Sequence, residues 1–189
     1  MRSTLRFMAL QAALALACAL PIAAQAAPPA GSVTADLLAD IGDAERKFIS
    51  LAKAIPADKF DWRPGPGVRS VGEVVLHVAA DNYLIPAAIG FTPDPKTGIK
   101  GDDYKTAQAF ESRKLGKDAA IAEMEASFAF LKKSLQATTS ARMSEQVKLF
   151  GQPFTMQRAW ILGTTHLHEH LGQLIAYGRT NSVKPPWSQ

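Results

Sequence analysis

Apolar residues return at spacings of three and four along several stretches of this chain. Leu37, Ile41, Ala44, Phe48, Leu51 and Ile55 form the clearest series. An α-helix turns about 100° per residue, so these side chains share one face, which a strand of period two cannot provide. Pro56 closes that helix, and Asp58 to Arg69, with Pro64-Gly65-Pro66-Gly67 inside it, reads as a loop. Ile121, Met124, Phe128, Leu131 and Leu135 form another stripe within Lys117 to Ala137. A last long helix is expected from near Thr155 to Tyr177 or Gly178, with Asn181 and Pro185-Pro186 beyond its end.

The remaining helix is announced by its cap. In Ser70-Val71-Gly72-Glu73 the Ser70 hydroxyl can accept from the Glu73 amide, while the Glu73 carboxylate reaches back to the Ser70 amide. Val71, Val74, Val75, Val78 and Ile85 then lie on an apolar side, and Glu73, His77 and Asp81 follow one another at spacings of four. Pro86 is expected to kink or end this helix. Thr92 to Gly98 reads as a loop, Asp102 to Phe110 as a short helix or ordered segment, and Val147 to Phe150 as a brief extended piece. Four long amphipathic helices, no strong strand pattern and no internal repeat predict an all-α, up-and-down four-helix bundle.

At 189 residues, 47% hydrophobic and 20% charged, the chain has material for one domain with a sizeable core. Its start carries the three parts of a secretory signal: Arg2 and Arg6, an apolar run from Phe7 to Leu20, and the small-residue site Ala24-Gln25-Ala26. The expected organisation is a signal peptide over 1–26 and a bundle over 32–187, placing the mature protein in the periplasm or outside the cell. The apolar run is short and alanine-rich for a stable membrane span, which takes roughly 20 apolar residues. Cys18, the single cysteine, falls in this segment, so the mature chain has no disulfide and no thiolate. A lipoprotein anchored through Cys18 is the alternative, although Ala15-Leu16-Ala17-Cys18 matches a lipobox poorly. Lys and Arg number 21 against 17 Asp and Glu, and removing Arg2 and Arg6 leaves 19 against 17. A scattered excess of that size does not suit nucleic acid.

Three histidines carry the chemistry. His166 and His170, four apart, share a helix face, and His77 on a facing helix can reach the same point. Three neutral imidazoles suit zinc, nickel or iron(II) and leave a coordination position open. Spacing alone equally admits hydrogen-bonded core histidines. His168, two positions from each partner, points roughly 200° away from their face. His166-Leu167-His168-Glu169-His170 also matches the H-x-x-E-H pattern of inverted zinc peptidases, but no Asp, Glu, His or Cys follows His170 to supply a downstream ligand. Asp81 is the candidate catalytic residue, as proton acceptor or as a support for a ligating imidazole. Glu73 could serve likewise but is accounted for by the capping box. Gln173 faces the same way as His170. Trp62 is expected to help close the cavity.

Trp62-Arg63-Pro64, Ser70-Val71-Gly72-Glu73 leading to His77, His166 and His170 followed by Gly172-Gln173, and the trailing Asn181 and Pro185-Pro186 together resemble the DinB-like (YfiT-like) four-helix-bundle proteins, a name shared with an unrelated DNA polymerase. The resemblance spans about Thr34 to Trp187. It implies a divalent-metal site of His77, His166 and His170. The family holds thiol-dependent transferases and isomerases beside many members described as metal-dependent hydrolases without a known substrate. Hydrolysis of a small molecule fits export best, since the thiols that such transferases use are mainly cytoplasmic. A thiol transferase or a non-catalytic metal-binding bundle are the alternatives, and a homodimer is admitted by the resemblance alone.

Overall fold

The computed structural model describes residues 27–188, so the expected leader and Cys18 lie outside the described residues. Five helices follow: α1 (Val33–Ala54), α2 (Val71–Ala88), α3 (Tyr104–Glu111), α4 (Lys117–Gln136) and α5 (Met156–Thr180). A small antiparallel hairpin, β1 (Gln146–Leu149) and β2 (Gln152–Thr155), sits between α4 and α5. Among the described residues no helix is long and apolar enough to cross a membrane.

The long helices form where the apolar stripes predict them. Ser32 caps α1 by accepting from the Ala35 amide at 3.2 Å, and the stripe from Leu37 to Leu51 is buried. Both halves of the Ser70 capping box are present, at 3.2 and 2.9 Å. Burying each Leu, Ile or Phe stabilises the fold by about 1.5–3 kcal/mol, and the rings of Phe48 and Phe128 meet across the core at 6.1 Å.

The four-helix bundle expected from the stripes is there, and its neighbour order is a tertiary result. Both α1 and α2 pack against α4 and α5, which sets the consecutive helices α1 and α2 on a diagonal. With α3 covering its remaining side and β1 touching it, α2 is buried from Val74 through Pro86 on every face. The apolar side expected for α2 is only part of what it buries: the row of His77 and Asp81 also lies inside the protein. Pro86 neither breaks nor abruptly ends α2, because it falls in the last turn and the helix runs two residues past it.

The segment from Asp102 does become a helix, starting at Tyr104 behind an Asp103 cap. The extended piece at Val147 acquires an unforeseen partner strand. Phe150 and Gly151, with φ of 52° and 76°, form a two-residue turn of the kind asparagine-glycine normally signals, and phenylalanine hid it. Helix α5 outlasts its expected end because Asn181 caps it, its amide donating to the carbonyls of Tyr177 and Gly178.

Candidate metal centre

Helix α2 brings His77 in from one side and α5 brings His166 and His170 from the other. Their ligand nitrogens all lie within 4.8 Å of one another. His77 and His170 are buried and His166 is half-buried. His168 is exposed on the far side of α5, where the spacing put it.

The second nitrogen of two rings is taken. Glu111, at the end of α3, accepts from His77 Nδ1 at 3.1 Å, and Gln173 Oε1 accepts from His170 Nδ1 at 2.8 Å. Gln173 Nε2 in turn donates to the Tyr177 hydroxyl at 3.0 Å, which fixes the amide with its oxygen toward His170. Both imidazoles therefore present a bare Nε2 when neutral, and these two nitrogens face each other at 3.0 Å. Two lone pairs at that separation repel unless a proton or a cation lies between them. A tetrahedral ion with Zn–N bonds of 2.0–2.1 Å spaces its ligand nitrogens by about 3.3 Å, so this pair of nitrogens fits such an ion.

Glu111 is anchored by Arg69. The Arg69 Nε donates to one carboxylate oxygen of Glu111 and an Nη to the other at 3.2 Å. Burial pushes the Glu111 carboxyl up, but the bonds from His77 and Arg69 and their charges outweigh it and hold it at about 2. Sequence spacing could not reveal Glu111, which lies 34 residues from His77 and reaches it only through the folding of α3 over α2. Glu73, by contrast, stays with its cap and pairs with Arg63 at 3.1 Å, away from the imidazoles.

Asp81 Oδ2 accepts from His166 Nε2 at 2.8 Å and lies 3.4 Å from His77 Nε2. It touches two of the three imidazoles without joining the group whose atoms lie within 4.8 Å of one another. Burial pushes the His166 pKa down, and the Asp81 hydrogen bond and charge reverse that, leaving it raised. Burial lowers that of His170, with the neighbouring His166 and His77 adding to the effect, which favours its neutral, ligating form.

A cavity of about 1000 Å³ opens onto this cluster, lined there by His77, Asp81 and His166. Leu84, Ala87 and Ala88 of α2 form an apolar wall, and Gly101, Asp102 and Tyr104 with Lys148, Phe150 and Gly151 form the mouth. Trp62 is not among the lining residues. It packs edge-on against Tyr177 at 5.4 Å, behind the Tyr177–Gln173–His170 chain, which corrects its expected place over the cavity.

A family model described as the DinB superfamily matches residues 41–174, well over half of the chain. No curated protein sequence matches it. Among solved structures, a DinB-like protein from Bacillus cereus ATCC 10987 superposes with a TM-score of 0.63 at 14% identity, covering 81% of this chain and 95% of that one. YfiT from Bacillus subtilis, described as a probable metal-dependent hydrolase with an unusual four-helix bundle topology, gives 0.59 at 12% identity over 83% and 94%. The mycothiol-dependent maleylpyruvate isomerase gives 0.59 at 14% identity, with 75% of this chain matching 60% of the isomerase. At these identities the likeness is one of fold.

Proposed function

This chain belongs to the DinB superfamily, and from that premise we propose that it is a metal-dependent hydrolase of a small molecule. His77, His166 and His170 hold a divalent ion, zinc, nickel or iron(II). The observation that carries the reading is the pair of bare Nε2 atoms at 3.0 Å, each fixed by a hydrogen bond at its other nitrogen. The description of YfiT supports it, as does a cavity that reaches two of the three imidazoles.

A divalent ion at this point supplies Lewis acidity, polarising the bond under attack and making water a nucleophile at neutral pH. The chain's own residues do the rest. Asp81 Oδ2, hydrogen-bonded to His166 and facing the cavity, accepts the proton that the attacking water gives up. Glu111 and Gln173 hold two rings in the tautomer that leaves Nε2 free. Leu84, Ala87 and Ala88 keep bulk water from one wall of the reaction space.

We place the working protein outside the cytoplasm after removal of residues 1–26, with 32–187 as the folded unit. Thiol transfer is the second reading, favoured by the fold shared with the isomerase. The test is metal analysis of the purified protein beside His77→Ala, His166→Ala and His170→Ala. Wild type is expected to hold one ion and each variant to lose most of it. Full occupancy in a variant removes that histidine from the site, and a wild type that binds no divalent ion ends the proposal. A panel of esters, amides and thiol adducts, assayed before and after chelation, then separates hydrolysis from thiol transfer.

A further inference from the structure

Two segments at the cavity mouth carry features that the metal site does not use. The first runs from Ile99 to Tyr104. Gly101 lies so close to α2 that a Cβ there would sit 2.3 Å from the Ala87 carbonyl, so this backbone is pressed onto the helix and presents Asp102 and Tyr104 at a fixed place. The second is the hairpin, whose Lys148 and Phe150 line the same mouth.

Phe150 is in the left-handed region at φ 52° and is 56% exposed. A bulky L residue is unfavourable in that conformation, and an exposed aromatic ring gains little from burial there. Tyr104 is a second exposed aromatic at the same mouth. Lys148 and Asp102 add opposite charges, and neither has an ion-pair partner among the described residues. Other charged groups around the centre are paired: Arg69 with Glu111, Arg63 with Glu73, and His166 with Asp81. The mouth therefore offers one free cation, one free anion and two aromatic rings, in front of a cavity whose size is at the upper end for small-molecule sites.

We propose that this cavity receives an amphipathic zwitterion: an apolar or aromatic body whose carboxylate meets Lys148, whose amine meets Asp102 and whose ring or chain packs between Tyr104 and Phe150. The assignment rests on the hydrolase reading only in placing the bond to be broken beside His77, Asp81 and His166.

The test uses metal-free protein, because amino acids chelate divalent ions and would otherwise bind the centre itself. Four probes, L-phenylalanine, 3-phenylpropionate, phenethylamine and 2-phenylethanol, are titrated while backbone amide signals are followed by NMR. L-phenylalanine should bind most tightly, each charge adding about two- to fivefold as expected for partly exposed ion pairs. The shifts should centre on Asp102, Tyr104, Lys148 and Gly151. Lys148→Gln should erase the advantage of L-phenylalanine over phenethylamine while keeping that over phenylpropionate, and Asp102→Asn should do the converse. Phe150→Asn, which suits the turn, should weaken every probe without lowering the melting temperature.

Binding of 2-phenylethanol as tight as that of L-phenylalanine overturns the proposal. So do shifts elsewhere, an unchanged order in both charge variants, or no shift up to the solubility of the probes. Metal calorimetry on the same variants separates this proposal from the hydrolase reading. Normal metal uptake with a failed probe order removes only the zwitterion. A normal probe order in a wild type that takes up no metal removes only the metal chemistry.

Discussion

Glu111→Gln is the sharpest test of how the centre is held. In the native site both carboxylate oxygens accept: Oε1 from Arg69 Nε, Oε2 from His77 Nδ1 and from an Arg69 Nη. Glutamine keeps one oxygen and replaces the other with an NH2 donor. Whichever way the amide turns, that donor meets an N–H. If it faces Arg69, the guanidinium loses an acceptor in a half-buried place. If it faces His77, the ring must move its proton to Nε2, the atom needed for the ion. Changing such a support typically lowers metal affinity about ten- to a hundredfold, about 1.4 to 2.8 kcal/mol. Competition between the protein and a chromophoric chelator for zinc reads this directly, beside a thermal melt of the metal-free protein. An unchanged zinc affinity would refute the argument, because the variant cannot keep all three native bonds. A drop in metal-free melting temperature with no change in affinity would assign Glu111 to the fold alone.

Two further outcomes follow from the geometry. His166 carries its proton to higher pH than a free imidazole because Asp81 outweighs burial, so uptake of the ion should release up to about one proton near neutral pH. The affinity should rise with pH until His166 is neutral and then level off; calorimetry in two buffers of different ionisation enthalpy measures the release, and none at any pH on that rise would contradict the His166 assignment. Gly101→Ala should push the Ile99–Tyr104 segment off α2, destabilising the fold by about 1–3 kcal/mol as overpacking does and weakening probe binding at the mouth. Retention of native stability there would mean that the segment moves freely.

Helices α1, α4 and α5 were legible because burial repeats along each of them at helical spacing. Ser70 and Glu73 placed the start of α2 to the residue, and spacing on α5 separated His168 from His166 and His170. What escaped the sequence depends on pieces that meet only after folding. Nothing local says that α3 lies over α2, so Glu111 and Arg69 gave no sign of facing His77, whereas Asp81, one turn from His77, was already a candidate from its spacing. The hairpin escaped for another reason: Phe150 occupies a turn position that favours asparagine or glycine, so the local rule pointed away from the structure. That mismatch falls at the cavity mouth, where the zwitterion is proposed to bind.

The diagonal placement of α1 and α2 bears on the order in which this protein is made. His77 waits, from the synthesis of α2 onward, for partners 89 and 93 positions later in the chain. A nascent chain that ends before α5 holds one imidazole of the three and so lacks two of the proposed ligands. If the proposed site holds an ion, loading waits until His170 has been made, and a product terminated before α5 leaves the α5-facing side of α2 uncovered as a target for proteolysis.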